Sequence, residues 1–267
     1  MTAPATRYGR YLSGEPRGDD VLRLFCFHHA GGAASTFSGW RGALGRHVSV
    51  LPVQLPGREN RIREPRIRDM PALVAELDRH LGPLLDRPYA FYGHSMGALV
   101  AYHLARLRQT TGRSLPQRLL VGAFPAPHRP AATVPATDQP DDVLVRWMRD
   151  IGGVSPELLN YPEWLRAVAA LVRDDLALCR GGLTEAWRPL SCPVDVFHAA
   201  DDPLVSVADA RAWEQHTSRG CTVHGMAGGH FFHRDSAPAL HRTLTAVLTP
   251  VPAGAPAAGS SGLVTAL

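Results

Sequence analysis

Gly93-His-Ser-Met-Gly97 is a G-x-S-x-G pentapeptide, and its surroundings are those an activated serine requires. Tyr89-Ala-Phe-Tyr92 in front of it reads as a short strand. Met96 to Leu107 behind it is apolar nearly all round, as a buried helix is. A sharp strand-to-helix turn holds the serine in a strained conformation and presents its hydroxyl at the C-terminal edge of a sheet, and flanking glycines let strand and helix approach. Ser95 is therefore the candidate nucleophile. A serine hydroxyl is a poor nucleophile at neutral pH and needs a base that is itself oriented by an acid; chains built on this turn supply them in the order Ser, Asp, His. Asp201 and Asp202 follow a strand that ends at His198, and His230 follows one that ends near His224. Asp202 precedes Pro203 and a short apolar segment and is favoured over the more solvated Asp201. His230 is favoured because Gly228-Gly229 frees the backbone to turn the imidazole toward Ser95, which His224 lacks. His233 is the alternative base. His28, His29 and His94 read as structural or pocket-lining, and the histidines lack the spacing of a metal site.

A tetrahedral intermediate also needs hydrogen-bond donors for its oxyanion. The backbone N–H of Met96, at the positive end of the following helix, is one. The other is assigned to Ala30, in the small-residue loop His28-His-Ala-Gly-Gly-Ala-Ala-Ser35 that follows the first strong strand.

These residues need a scaffold that brings strand ends together. Val21–Phe27, Val48–Leu55, Tyr89–Tyr92, Arg118–Ala123, Pro193–His198 and Cys221–His224 read as strands, with Pro52 making the second irregular or near an edge. Helical patterns lie between them: residues 70–85, 96–107, 207–214 and 238–248. Such alternation implies α/β architecture, a parallel sheet covered by helices on both faces. From about Val134 to Gly182 the alternation stops and three helical segments follow one another. Asp141 and Asp142 cap the first, Ser155-Pro156 starts the second, and Pro162-Glu163 opens a third that stops at Gly181-Gly182. This insertion is read as a lid, with extra helices packed on the core as the bland alternative. Residues 1–250 then form one domain with a lid at about 134–182, and 251–267, rich in Ala, Gly, Pro and Ser, form a disordered tail.

Composition excludes several classes. With 45% hydrophobic and 19% charged residues, the 267-residue chain is not disordered as a whole. All 28 of its basic Lys/Arg residues are arginine, and a net charge of +4 without a recognition motif argues against nucleic acid. No apolar run is long enough to span a membrane and the N-terminus lacks a signal-peptide core, so the expected location is the cytoplasm. Four widely spaced cysteines form no C-x-x-C pair; neither a zinc site nor a disulfide framework is expected.

Phe27-His-His-Ala-Gly-Gly, Leu55-Pro-Gly-Arg-Glu59, Gly93-His-Ser-Met-Gly-Ala98, Asp202-Pro-Leu-Val205 and Gly229-His-Phe-Phe232 together resemble the type II thioesterases that accompany polyketide synthases and nonribosomal peptide synthetases. The similarity runs from about Tyr8 to Leu248, and the first two segments are its most specific parts. It implies the α/β-hydrolase fold, a mostly parallel central sheet flanked by helices, with a mobile helical lid over an acyl chamber. It matches Ser95, Asp202 and His230 to the triad, and Ala30 with Met96 to the oxyanion hole. Ala199 and Ala200 depart from the family, which often has glycine there. The implied activity is hydrolysis of acyl groups from the phosphopantetheine arm of acyl or peptidyl carrier proteins. The enzyme itself needs no cofactor, since the substrate carries the phosphopantetheine. With only about 20 residues before the first strand, the chain is expected to be free-standing and to meet its carrier in trans, as a monomer. A carboxylesterase or lipase, an acyltransferase and a carrier-binding scaffold with a dead site are the rival readings. The arginine-rich segment Arg58–Arg68 has two readings of equal weight: attraction of an acidic carrier, or a solvated loop offset by Glu59, Glu64 and Asp69.

Overall fold

The structure, a computed structural model, describes residues 10–129, 134–183 and 188–249. The stretch expected to form a disordered tail lies outside them. Six strands form one sheet in the order β2-β1-β3-β4-β5-β6: β1 Leu22–Phe27, β2 Val48–Pro52, β3 Tyr89–His94, β4 Leu119–Gly122, β5 Val194–Ala199 and β6 Cys221–Met226. Every pairing between them is parallel.

The inner strands β1, β3 and β4 are buried along their whole length because both faces are covered, and the two-residue period sorts their side chains, whereas the edge strand β6 is largely half-buried or exposed. Phe25, Phe27 and Phe91 belong to the layer packed under α1 (Met70–Leu81) and α2 (Met96–Thr110). Leu24, Cys26, Ala90 and Tyr92 belong to the opposite layer, with Phe37, Trp40 and the last described helix. Burying each such Leu or Phe contributes about 1.5–3 kcal/mol. β2 is an edge strand, where Pro52 is tolerated, and the segment before β1 covers it: Leu12 bridges Val53 and the Ser13 N–H donates to the Pro52 carbonyl.

Two local expectations change. The apolar pattern over residues 70–85 is not one α-helix: α1 stops at Leu81 and a 3₁₀ turn covers Gly82–Leu84. Pro83 lacks an N–H and its ring opposes the carbonyl four residues earlier. In the insertion, Asp141 and Asp142 are not caps but the first two residues of α3 (Asp141–Asp150), with Pro140 in the cap position. Their carboxylates sit against the positive end of the helix, and Asp141 also accepts from Arg173 at 2.7 Å.

The insertion continues through a 3₁₀ turn, Pro156–Asn160, into α4, Pro162–Gly181. Leu144, Met148, Val154, Val172 and Leu176 form a small apolar cluster there, separate from the two layers of the sheet. Later in the chain come α5 Val207–Arg211, followed by a 3₁₀ turn over Ala212–His216, the short α6 Phe232–Asp235, and α7 Ala237–Leu248. Among the described residues no helix is long and apolar enough to cross a membrane.

Candidate active site

Parallel strands carry their C-terminal ends to one edge, so residues just beyond them collect there. Ala30 follows β1, Ser95 follows β3, Asp202 follows β5 and His230 follows β6. The chain winds from β1 outward to β2 and returns to β3 on the other side of β1. The crevice between β1 and β3 is thus the point where connections diverge, and Ala30 and Ser95 stand on its two sides.

Ser95 has φ 53° and ψ −121°, an unfavourable backbone for a residue with a Cβ, costing on the order of 1–3 kcal/mol. The surroundings impose it. The Ser95 N–H donates to the Gly122 carbonyl at 2.7 Å. A Cβ on Gly97 would overlap the Phe27 carbonyl oxygen, and one on Gly93 would overlap that of Gly97, so only glycine lets α2 begin this close to the strands. Met96 is the first residue of α2, where backbone N–H groups have no partner within the helix.

His230 Nε2 lies 3.0 Å from Ser95 Oγ, and His230 Nδ1 lies 2.9 and 3.1 Å from the two carboxylate oxygens of Asp202. With the proton on Nδ1 donated to Asp202, Nε2 presents its lone pair to the serine hydroxyl. Both side chains are buried, which excludes water from the pair. Asp202 Oδ1 also accepts the Leu204 N–H at 2.8 Å, so the turn after β5 fixes the carboxylate. Its neighbour Asp201 is exposed. The glycine before the base is used as expected: Gly228 has φ 92°, and its carbonyl accepts the Asp201 N–H at 3.1 Å, joining the two loops. Of the other histidines, His224 is turned away, bonded to Asp195 at 2.8 Å.

His94 does more than line the site. Burial holds its pKa well below the ordinary imidazole value, with His233, His230 and His29 adding to the effect, so the ring is neutral. A carbonyl can only accept; Nε2–H of His94 therefore donates to the His230 carbonyl at 2.8 Å, and Nδ1 accepts from the Tyr92 hydroxyl at 3.2 Å. This buried relay from β3 anchors the backbone of the base. His233 packs against His94 at 3.9 Å between ring centroids and is likewise held neutral by burial. His29 is pushed down to about 3, by burial first and by His230, Arg234 and Arg58 after it. Uncharged rings around His230 leave one imidazole with an acidic partner and a serine.

Above Ser95 is a cavity of about 290 Å³. Ala30, Ser95 and His230 form part of its wall, with Phe124, Leu204 and Phe231 from the rim loops; Trp147 from α3 and Trp164, Val168 and Val172 from α4 add apolar surface from the insertion. Ala30 therefore faces the same space as the serine.

Much of the arginine-rich segment is held by carboxylates of this chain, in part as the offset-loop reading expects, since Arg61 pairs with Glu64 while Arg63 and Arg68 stay exposed. Arg58 is buried and meets both carboxylate oxygens of Asp175 on α4 at 2.9 Å. Arg61 is buried against Glu64 and donates to the Gln54 carbonyl. Arg66 and Arg68 both pair with Asp174. Glu64, one of the acidic residues close in sequence, pairs with Arg61; the partners of Arg58, Arg66 and Arg68 are Asp174 and Asp175, over 100 residues away.

Comparison with known proteins agrees with this geometry. Residues 22–248 match the thioesterase domain family model. The chain is 35% identical over 83% of its length, and 85% of the relative's, to linear gramicidin dehydrogenase LgrE of Brevibacillus parabrevis. Among solved structures, the RedJ thioesterase of the prodiginine pathway of Streptomyces coelicolor superposes with a TM-score of 0.79 at 34% identity, covering 88% of this chain and 94% of that one. The type II thioesterase BorB from the borrelidin cluster gives 0.80 at 32%, covering 90% and 98%. A serine turn, an oriented imidazole and an apolar chamber on a sheet shared with these enzymes have one common reading: the chain belongs to the thioesterase family and has the α/β-hydrolase fold.

Proposed function

We propose that this chain is a stand-alone type II thioesterase that clears acyl groups from the phosphopantetheine arm of acyl or peptidyl carrier proteins in polyketide or nonribosomal peptide assembly. The observation that carries the reading is the imidazole of His230 bridging Ser95 and Asp202 at the floor of an apolar chamber. Ser95 Oγ attacks the thioester carbonyl while its proton passes to His230 Nε2. Asp202 holds the ring in the required tautomer and stabilises the imidazolium that forms. The N–H groups of Ala30 and Met96 receive the developing oxyanion. Collapse breaks the C–S bond; the pantetheine sulfur leaves with the proton from His230, and the acyl group remains on Ser95. Water then gives a proton to His230 and attacks the acyl-serine; the acyl–Oγ bond breaks, His230 returns the proton to Ser95 Oγ, and a free acid is released.

The substrate class follows from the walls. A thioester is more electrophilic than an amide, its thiolate leaves with little protonation, and Trp164, Val168 and Val172 suit an acyl chain. Helices α3 and α4 act as the lid over it. The enzyme works as a cytoplasmic monomer and draws on no cofactor of its own. Carrier proteins loaded with different acyl groups test the proposal, with deacylation followed by intact-protein mass. Loss of the acyl mass from the carrier with release of free acid is expected. Turnover of oxygen esters with no action on acyl-carriers would instead make the chain a carboxylesterase. Acyl transfer to an added alcohol or amine in preference to water would make it an acyltransferase.

A further inference from the structure

The segment Leu55-Pro-Gly-Arg-Glu59 has no part in the mechanism above, yet Arg58 reaches the loop that supplies the oxyanion donor. Asp175 Oδ2 accepts the Gly31 N–H at 2.8 Å and Arg58 Nη1 at 2.9 Å, while Oδ1 accepts Arg58 Nη2 at 2.9 Å. The same Nη1 donates to the Gly32 carbonyl at 3.1 Å. One buried side-chain pair therefore grips Gly31 by its N–H and Gly32 by its oxygen. Two consecutive glycines leave a loop free to rotate unless something outside it sets the backbone. Ala30 immediately precedes them. Neither Arg58 nor Asp175 lines the chamber.

We infer that Arg58 and Asp175 are positioning residues, which hold the Ala30 N–H where the oxyanion develops and lock α4 to the oxyanion loop. The inference rests on the proposed role of Ala30. Asp175 lies on the same helix as Val168 and Val172, and a Cβ on Gly31 would press on Val172. The wall that touches the acyl chain and the loop that stabilises its carbonyl thus share one anchor. Loss of the anchor weakens the transition state more than substrate binding, so it lowers kcat and leaves KM nearly unchanged.

Three variants test this: Arg58→Lys, Asp175→Asn, and the double variant Arg58→Met with Asp175→Leu. The double variant removes both charges together and leaves no buried charge unpaired, a replacement that folded proteins tolerate. Each is assayed on an acyl-pantetheine thioester and on a p-nitrophenyl ester, with kcat expressed per titrated active site so that partly unfolded material does not count. The expected result is a fall in kcat of about 10- to 100-fold on both substrates with KM within about threefold, since displacing a catalytic group by about 1 Å can cost 10²-fold. Affinity for an alkyl trifluoromethyl ketone, whose adduct with the serine carries an oxyanion, falls in step. An unchanged kcat in the double variant, or a raised KM at unchanged kcat, overturns the inference. A wild-type chain that cleaved only the p-nitrophenyl ester would defeat the proposed thioesterase function, while the ester kcat ratio would still decide the role of the pair.

Discussion

The rim of the sheet and the helical insertion above it are built on different terms. At the rim, each candidate catalytic residue follows a strand of the sheet that lies between the two large apolar layers, and each is held by at least one further hydrogen bond: Ser95 through its N–H, Asp202 through Leu204, His230 through His94. The insertion has a small cluster of its own, five buried residues with half-buried ones packed around them, and Tyr161, Trp164 and Leu183 remain partly in solvent. It is tied down by ion pairs from Asp174 and Asp175 to the arginine segment below, by Leu178 in the layer under α1 and α2, and by the Gly182 carbonyl, 2.6 Å from His103 Nε2. A unit with little core of its own opens at lower free energy than the sheet beneath it. On the proposed function, the chemistry sits on the rim, and contact with the acyl chain is shared between the rim and the insertion.

Changes at the rim should be the most severe. Ser95→Ala is expected to lower kcat/KM on acyl-pantetheine about 10⁴-fold or more with an unchanged melting temperature, measured by thiol release and by circular dichroism. Asp202→Asn should cost about 10³- to 10⁴-fold, because the amide favours the wrong imidazole tautomer, whereas Asp201→Asn should stay within about twofold. Equal losses for the two would mean that the acid has been misassigned.

Acid should also act on the rim in preference to the insertion. His28, His29, His94 and His233 are all held neutral by burial around the site, and residues 134–183 contain no histidine. Their pKa values are lowered on folding from 6.5, so the unfolded chain binds these protons first. Stability is then full above about pH 6.5 and declines as pH falls toward 3, by about 1.4 kcal/mol per pH unit for each proton taken up. Denaturant melts at pH 7 and pH 5 should show the loss, and uptake of less than one proton on unfolding at pH 5 would contradict it. In the insertion the expected change is in selectivity. Val168→Phe narrows the chamber and should lower kcat/KM for octanoyl-pantetheine about tenfold while leaving acetyl-pantetheine nearly unaffected. A uniform loss across chain lengths would show that this helix does not measure the acyl group.

How much of this was legible in the sequence depended on how local the signal was. The serine turn was readable because strand, glycines and helix are contiguous. Asp202 and His230 were readable because strand patterns located the ends from which they had to come. The insertion showed as an interruption of alternation, and its helix ends were marked by Pro162 and Gly181. By contrast, the partners of Arg58 and Arg66 were not legible, since an ion pair spanning more than 100 residues leaves no periodic trace. The only hint was a pair of aspartates, Asp174-Asp175, set among the apolar residues of a helix, where an unpaired carboxylate would be costly. His94 was visible as a residue of the turn, but its grip on the His230 backbone depends on how the β6 loop folds back, which no spacing records.

The most direct measurement is to mix the protein with an acyl-loaded carrier, quench within milliseconds, and locate the added acyl mass by peptide mapping. The acyl group should be found on Ser95, should persist longer when His230 is replaced by alanine and the acyl-enzyme is loaded with an activated ester, and should be absent from Ser95→Ala. An acyl group on any other residue, or thioester cleavage that continues at the wild-type rate in Ser95→Ala, would contradict the assignment of the serine turn as the site of chemistry.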